Sequence, residues 1–266
     1  MMASSARREV ALWDPTFTER VKNVVGPLVR RYFRAEVRGV DQIPPSGGVL
    51  FVSNHSGGML TPDVFVLATA YYERFGYGRP LYTLAHSMIL VGSLGATLRR
   101  VGAIEASRGN AAQALRNGAA VLVFPGGDYD AYRPTSKANV IDFNGRTGYV
   151  RTALEAGVPI VPIVSIGGQE SQWFLSRGSW LAKRLGLSRF RAEIMPLTVG
   201  IPFGLGIFVP NLPLPAKIVT EVLAPIDVRD RWGADADVDE VDRHVRRLMQ
   251  DALDALADGR RFPIIG

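Results

Sequence analysis

Val49-Leu50-Phe51-Val52-Ser53-Asn54-His55-Ser56-Gly57-Gly58 decides how this chain folds. Four apolar residues run straight into a polar loop closed by glycines, the pattern of a short buried strand followed by a turn. It returns at Val121-Leu122-Val123-Phe124, which leads through Pro125-Gly126-Gly127 to Asp128-Tyr129-Asp130. As strands of an open α/β sheet, both runs deliver their loops to the carboxyl edge, where ligands bind in such folds. A histidine and a glycine-rich turn then share one edge, as a base facing backbone donors.

Outward from these two runs, strands are predicted at 48–53, 81–85, 102–106, 119–124, 160–166 and 217–222. Helical patterns at 62–74, 87–100, 110–117 and 148–156 separate them, with Thr61-Pro62 as an N-cap and first-turn pair. This alternation predicts a single α/β domain, a largely parallel central sheet flanked by helices. Val238, Val241, Val245, Met249, Leu253 and Leu256 recur at helical spacing, with Asp235 and Asp237 near the start, and predict a closing amphipathic helix.

Two segments bear on membranes. Over 15–38, Phe17, Val21, Val25, Leu28 and Phe33 alternate at helical spacing with Arg20, Lys22, Arg30, Arg31 and Arg34. That amphipathic, basic helix suits either an anionic lipid interface or core packing with a solvated basic face. Residues 194–216 contain no charge. Pro196, Pro202, Pro210, Pro213 and Pro215 rule out a continuous spanning helix there, so an irregular apolar segment is predicted that packs on the core or dips toward lipid. Exposed, it would mark a membrane or ligand surface.

The 266 residues, 47% hydrophobic and 21% charged, suffice for one full core. With no cysteine, disulfides, thiolate metal sites and a cysteine nucleophile are excluded. His55, His86 and His244 lie far apart and without zinc-type spacing, so no metal site is expected. Residues 1–10 carry arginines but no apolar stretch of a secretory signal, and the cytoplasmic side is the expected location. The net charge of +6 asks for an anionic partner; the basic residues are scattered, which argues against nucleic acid and for an anionic membrane surface.

Activating an alcohol for acyl transfer needs a base titrating near ambient pH, a group to orient it and donors for the developing oxyanion. His55 suits the first role, Asp63 the second, and the amides around Gly126 and Gly127 the third. No Gly-x-Ser-x-Gly elbow is present, so direct attack by the acceptor replaces a covalent acyl-enzyme. His86 is read as structural and as the second choice of base, and His244 as a packing histidine. Arg108, Arg133, Lys137, Arg146 and Arg151 are candidates for binding phosphate, Arg108 and Arg146 foremost.

Asn54-His55 with Asp63, Gly102-Ala103-Ile104 with Arg108, Phe124-Pro125-Gly126-Gly127, and Val158-Pro159-Ile160-Val161-Pro162-Ile163 resemble, in order, the four blocks of the glycerolipid acyltransferases of PlsC type. The resemblance spans 54–163 and implies a peripheral or monotopic membrane enzyme. Such an enzyme moves a fatty acyl group from acyl-CoA or acyl carrier protein to a glycerolipid or lysophospholipid hydroxyl, with no cofactor beyond the acyl-CoA co-substrate. By the same resemblance His55 is the base and Asp63 its orienter. Asn54, Arg108, Gly126, Gly127 and Arg146 serve substrate binding, and the fourth block lines an acyl pocket. Residues 1–40 are then an interfacial helix and 41–266 the acyltransferase domain.

Two departures stand out. The family spaces its histidine and aspartate as His-x-x-x-x-Asp, whereas seven residues intervene here. Its third block is usually Phe-Pro-Glu-Gly; Gly126 in place of the acid resembles the diacylglycerol acyltransferase-like branch, with Asp128 or Asp130 as the compensating acid. Two other readings of the same residues are an esterase or thioesterase in which His55 activates water, and a non-catalytic lipid-binding protein.

Overall fold

Strand β2 (Val49–Ser53) is buried along its whole length, and its side chains alternate between two separate cores. Val49 and Phe51 point to one side, Leu50 and Val52 to the other. The computed structural model, which describes residues 6, 9–186, 194–207, 211–260 and 262, sets β2 at the centre of a seven-stranded sheet. Its companions are β1 (Glu36–Arg38), β3 (Leu81–Ala85), β4 (Ala103–Glu105), β5 (Ala120–Val123), β6 (Ile160–Ile166) and β10 (Val219–Val222), in the order β1-β10-β6-β2-β5-β3-β4. From β6 to β4 every pairing is parallel; β10 runs antiparallel to β6, and β1 follows β10. Five parallel strands therefore present their carboxyl ends together, and β2 lies between β5 and β6.

The helices are α1 (Pro15–Tyr32), α2 (Pro62–Phe75), α3 (Gly92–Arg100), α4 (Arg108–Arg116), α5 (Gly127–Ala131), α6 (Gly148–Ala156), α7 (Ser179–Arg184), α8 (Val228–Trp232) and α9 (Val238–Asp258). On one face of the sheet Leu67, Tyr71 and Tyr72 of α2 cover Phe51, Leu122 and Ile163. On the other, Ala114 and Leu115 of α4, Val150 and Ala153 of α6, and Val245, Met249 and Leu253 of α9 cover Leu50, Val121 and Val164. Each face is thus desolvated by helices, as a parallel sheet requires. The closing helix starts where its acidic residues predict: Asp237 is its N-cap and accepts from the Asp239 amide at 2.9 Å.

A second, antiparallel sheet joins β7 (Trp173–Ser176), β8 (Leu197–Gly200) and β9 (Gly204–Ile207). Here the structure corrects the expectation of an irregular 194–216 segment. Pro196 precedes β8 and Pro202 sits in the turn between β8 and β9, so neither interrupts the hairpin ladder. The helix expected over 15–38 also ends earlier, at Tyr32, because Glu36–Arg38 pairs with β10 as an edge strand. A boundary at residue 40 would detach that strand from its sheet. The fourth block forms β6 and the turn before it, and its apolar side chains fill the two cores.

Candidate functional site

Because β2 and β5 are hydrogen-bonded neighbours, the loops that follow them meet. The His55 ring stacks on Phe124, centroids 4.1 Å apart and planes inclined by 26°. Its backbone N–H donates to Asp130 Oδ2 at 2.7 Å. The histidine and the Phe-Pro-Gly-Gly turn therefore occupy one site at the carboxyl edge.

The seven residues between His55 and Asp63 do not prevent contact. Gly57, Gly58 and Thr61 take positive φ angles of 81°, 60° and 40°, and a single 3-10 turn at Gly58–Leu60 folds the chain back onto α2. Gly58 is required twice, by its left-handed φ and because a Cβ there would lie 2.8 Å from Phe174 Cζ. Thr61 occupies the N-cap position but makes no side-chain cap, since its left-handed backbone departs from the extended conformation capping needs. Asp63, in the first turn of α2, is only 3% exposed. Its Oδ2 accepts from His55 Nδ1 at 3.0 Å and from the Ser56 amide at 2.9 Å, and its Oδ1 accepts from the Val64 amide at 2.9 Å.

A carboxylate so placed only accepts, so it selects the imidazole tautomer with its proton on Nδ1 and a lone pair on Nε2. Burial pulls the His55 pKa down, but the charge of Asp63, its hydrogen bond and the charge of Asp130 outweigh this and leave it above 6.5. The ring is 14% exposed, open enough to meet a proton donor.

Asp130 is the residue that sequence reasoning located least well. It is buried in α5 beside Arg133, which donates to Asp130 Oδ1 from Nη2 at 2.6 Å and from Nε at 3.2 Å. Burial pushes the Asp130 carboxyl up; Arg133 and the His55 amide oppose that shift. A Cβ at position 126 would lie 2.5 Å from Asp130 Cβ, so the acid at 130 fills the space a side chain at 126 would need. Of the two candidate compensating acids, Asp130 is thus the one at the histidine. Asp128 instead faces outward and accepts from Arg146 Nη2 at 3.3 Å.

The remaining predicted residues divide sharply. Asn54 Nδ2 donates to the Ser165 carbonyl and its Oδ1 accepts from the Ser165 amide, both at 2.8 Å. It ties β2 to β6 and has both ends of its amide engaged within the protein. The Gly127 amide donates to the Phe124 carbonyl at 3.0 Å, so it is not a free oxyanion donor. Among the described residues nothing accepts from the Gly126 amide. Arg133 lies in the buried Asp130 pair and is unavailable to phosphate. Arg146 donates to the Gly126 carbonyl at 2.9 Å and clamps the turn while staying half exposed. Arg108 is exposed at the first position of α4, at the same sheet edge but three strands from β2, about 14 Å by strand spacing. Lys137 and Arg151 are exposed too.

Gln169 was not anticipated. Its Oε1 accepts from the Gly57 amide at 3.3 Å, and its Nε2 donates to the Arg133 carbonyl, so it stitches the two loops together. A glutamine after a buried strand carries no distinguishing pattern, and no sequence signal pointed to it. His86 caps a 3-10 turn through Nδ1 after β3, and His244 packs on Trp232. Both fit the structural roles expected of them.

The fold and the His55–Asp63 pair define an α/β protein with one oriented imidazole and a glycine turn at the carboxyl edge of its parallel strands. The chain belongs to the Acyltransferase family, whose model matches residues 34–166. An uncharacterized protein of Mycobacterium tuberculosis is 33% identical over 264 residues, covering 96% of this chain and 70% of its own length. The human protein described as a DGAT1/2-independent enzyme synthesizing storage lipids is 26% identical over 191 residues, 71% of this chain and 57% of that protein. Among solved structures, the 1-acyl-sn-glycerophosphate acyltransferase PlsC of Thermotoga maritima superposes with a TM-score of 0.52 at 16% identity, over 90% of this chain and 82% of that one. The α/β architecture is that of the PlsC fold.

Proposed function

We propose that this acyltransferase moves a fatty acyl group from acyl-CoA or acyl carrier protein to a glycerolipid or lysophospholipid hydroxyl, at the cytoplasmic side of a membrane, with His55 as general base. The observation that carries this reading is the Nδ1 hydrogen bond to Asp63, which leaves Nε2 as the proton acceptor in a ring stacked on Phe124, at the start of the Phe-Pro-Gly-Gly turn. The acceptor hydroxyl gives its proton to Nε2 as its oxygen attacks the thioester carbonyl carbon. The carbonyl oxygen gains charge and is stabilised by the Gly126 amide. When the C–S bond breaks, the imidazolium returns the proton to the leaving thiolate. Asp63 stabilises the imidazolium in between, and Asp130 fixes the backbone that carries it.

The arginines bear on the acceptor. Arg133 is consumed by Asp130 and Arg146 by the turn, so Arg108 is the foremost phosphate candidate still without a side-chain partner among the described residues. A phosphorylated acceptor would therefore have to reach Arg108, about 14 Å along the sheet edge from β2, whereas a mono- or diacylglycerol needs no cation in the site. The test is labelled acyl-CoA incubated with each acceptor class and with none. Acyl transfer that falls about 10²- to 10⁴-fold in His55→Ala supports the reading. Thioester hydrolysis at a rate indifferent to acceptor, or full transfer by His55→Ala, rejects it.

A further inference from the structure

The β7-β8-β9 sheet has an unusual outer face. Its cross-strand pairs place Trp173, Val199 and Leu205 in one row and Leu197 and Ile207 in the next. The opposite face carries Phe174 and Thr198, each 2% exposed, and Phe174 packs on Gly58 and Tyr132 beside the His55 loop. An antiparallel sheet with one side on the protein normally turns polar side chains outward. Here the outward side chains are apolar: Trp173, Leu175 and Leu205 are 49%, 57% and 69% exposed. The hairpin turn adds Ile201 and Phe203, also well exposed.

We infer that this face docks on an anionic lipid bilayer, with the hairpin turn and α7 entering the headgroup region. The inference rests on the acyltransferase reading only for its biological sense. Charge selects the occupant. From Ser171 to Thr220 the sequence holds six basic residues and one acid, a net +5 of the chain's +6. Trp180, Lys183, Arg184 and Leu185 are exposed in and just after α7, mixing an indole and a leucine with cations as interfacial helices do. The Leu212 amide donates to the Ile201 carbonyl and Tyr32 Oη donates to the Pro213 carbonyl, which ties Tyr32, at the end of the exposed Val24, Leu28 and Tyr32 stripe of α1, to the segment bonded to the hairpin turn. Exposed apolar area flanked by the Lys183 and Arg184 cations matches an anionic bilayer better than a second copy carrying the same charge. Among the described residues no helix is long and apolar enough to cross a membrane. The inner face of the sheet touches the His55 loop, so docking brings the site to the lipid.

Co-sedimentation with phosphatidylcholine vesicles, with and without phosphatidylglycerol, tests this without turnover. The wild-type chain and His55→Ala should bind the anionic vesicles equally, which separates docking from the catalytic reading. Phe203→Asp with Leu205→Asp should weaken binding about tenfold or more, since each loses the burial of a large apolar side chain. Lys183→Glu with Arg184→Glu should weaken binding to anionic vesicles only; this pair decides the matter if the first fails to fold. Wild-type chain that ignores vesicles, or variants that bind unchanged, overturns the inference. So does a wild-type dimer, seen by light scattering, that Phe203→Asp with Leu205→Asp converts to monomer.

Discussion

The large sheet and the small one use similar residues to opposite ends. Val49 to Ser53 in β2 lies between two helical layers, whereas Trp173 to Ser176 in β7 has protein on one side and solvent on the other. Alternation of valine, leucine and phenylalanine therefore means a core in the first and an apolar surface in the second. The difference teaches that apolar pattern locates strands, and that the covering helices decide whether a strand's second face is core.

The largest effect should come from the chemistry at the end of β2. His55→Ala should lower kcat by about 10²- to 10⁴-fold in steady-state acyl transfer. A fall of less than tenfold would move the base elsewhere. Next, Phe51→Ala, at a side chain with no exposure, should cost about 3–5 kcal/mol in denaturant unfolding. In the other sheet Leu205→Ser should stay within about 0.5 kcal/mol, because Leu205 is mostly solvated in the free chain. Equal losses at the two positions would erase the contrast between the sheets. Comparable in size to the Phe51 loss is that of Asp130→Ala, which leaves Arg133 buried without its ionic partner. It should cost several kcal/mol, of the order of 3–5 as for a broken buried ion pair, and should lower kcat more than it raises KM. A loss confined to KM would place Asp130 in substrate binding.

The strands of the large sheet were legible because short runs rich in Val, Leu and Ile bounded by glycine and proline have few other uses. β1 was not, since Glu36-Val37-Arg38 holds one apolar residue and its partner β10 lies far along the chain. The β8-β9 hairpin hid behind its prolines, which fall outside its hydrogen-bonding positions. At the site, His55 and the glycine turn were legible from their place after two buried strands. The reach of Asp63 depended on three left-handed residues, which a count of intervening residues does not reveal. Asn54, Gly127 and Arg133 have internal partners that the sequence does not reveal, for a shared reason. Their residue types suit ligand binding, but their hydrogen-bonding groups are taken by Ser165, Phe124 and Asp130, partners visible only once the loops are folded.

The dependence of kcat/KM on pH, in the wild-type chain and in Asp63→Asn, tests the role of the His55–Asp63 pair most directly. A base must be unprotonated, so activity should be lost as pH falls through the His55 pKa, with a midpoint above 6.5 in the wild type. Removing the Asp63 charge removes the chief upward influences and leaves the burial that acts downward. The midpoint should then move to lower pH as the plateau falls about tenfold to a hundredfold. An acid limb that stays in place when Asp63 becomes Asn, or no limb between pH 5 and 9, would contradict a base held and tuned by that carboxylate.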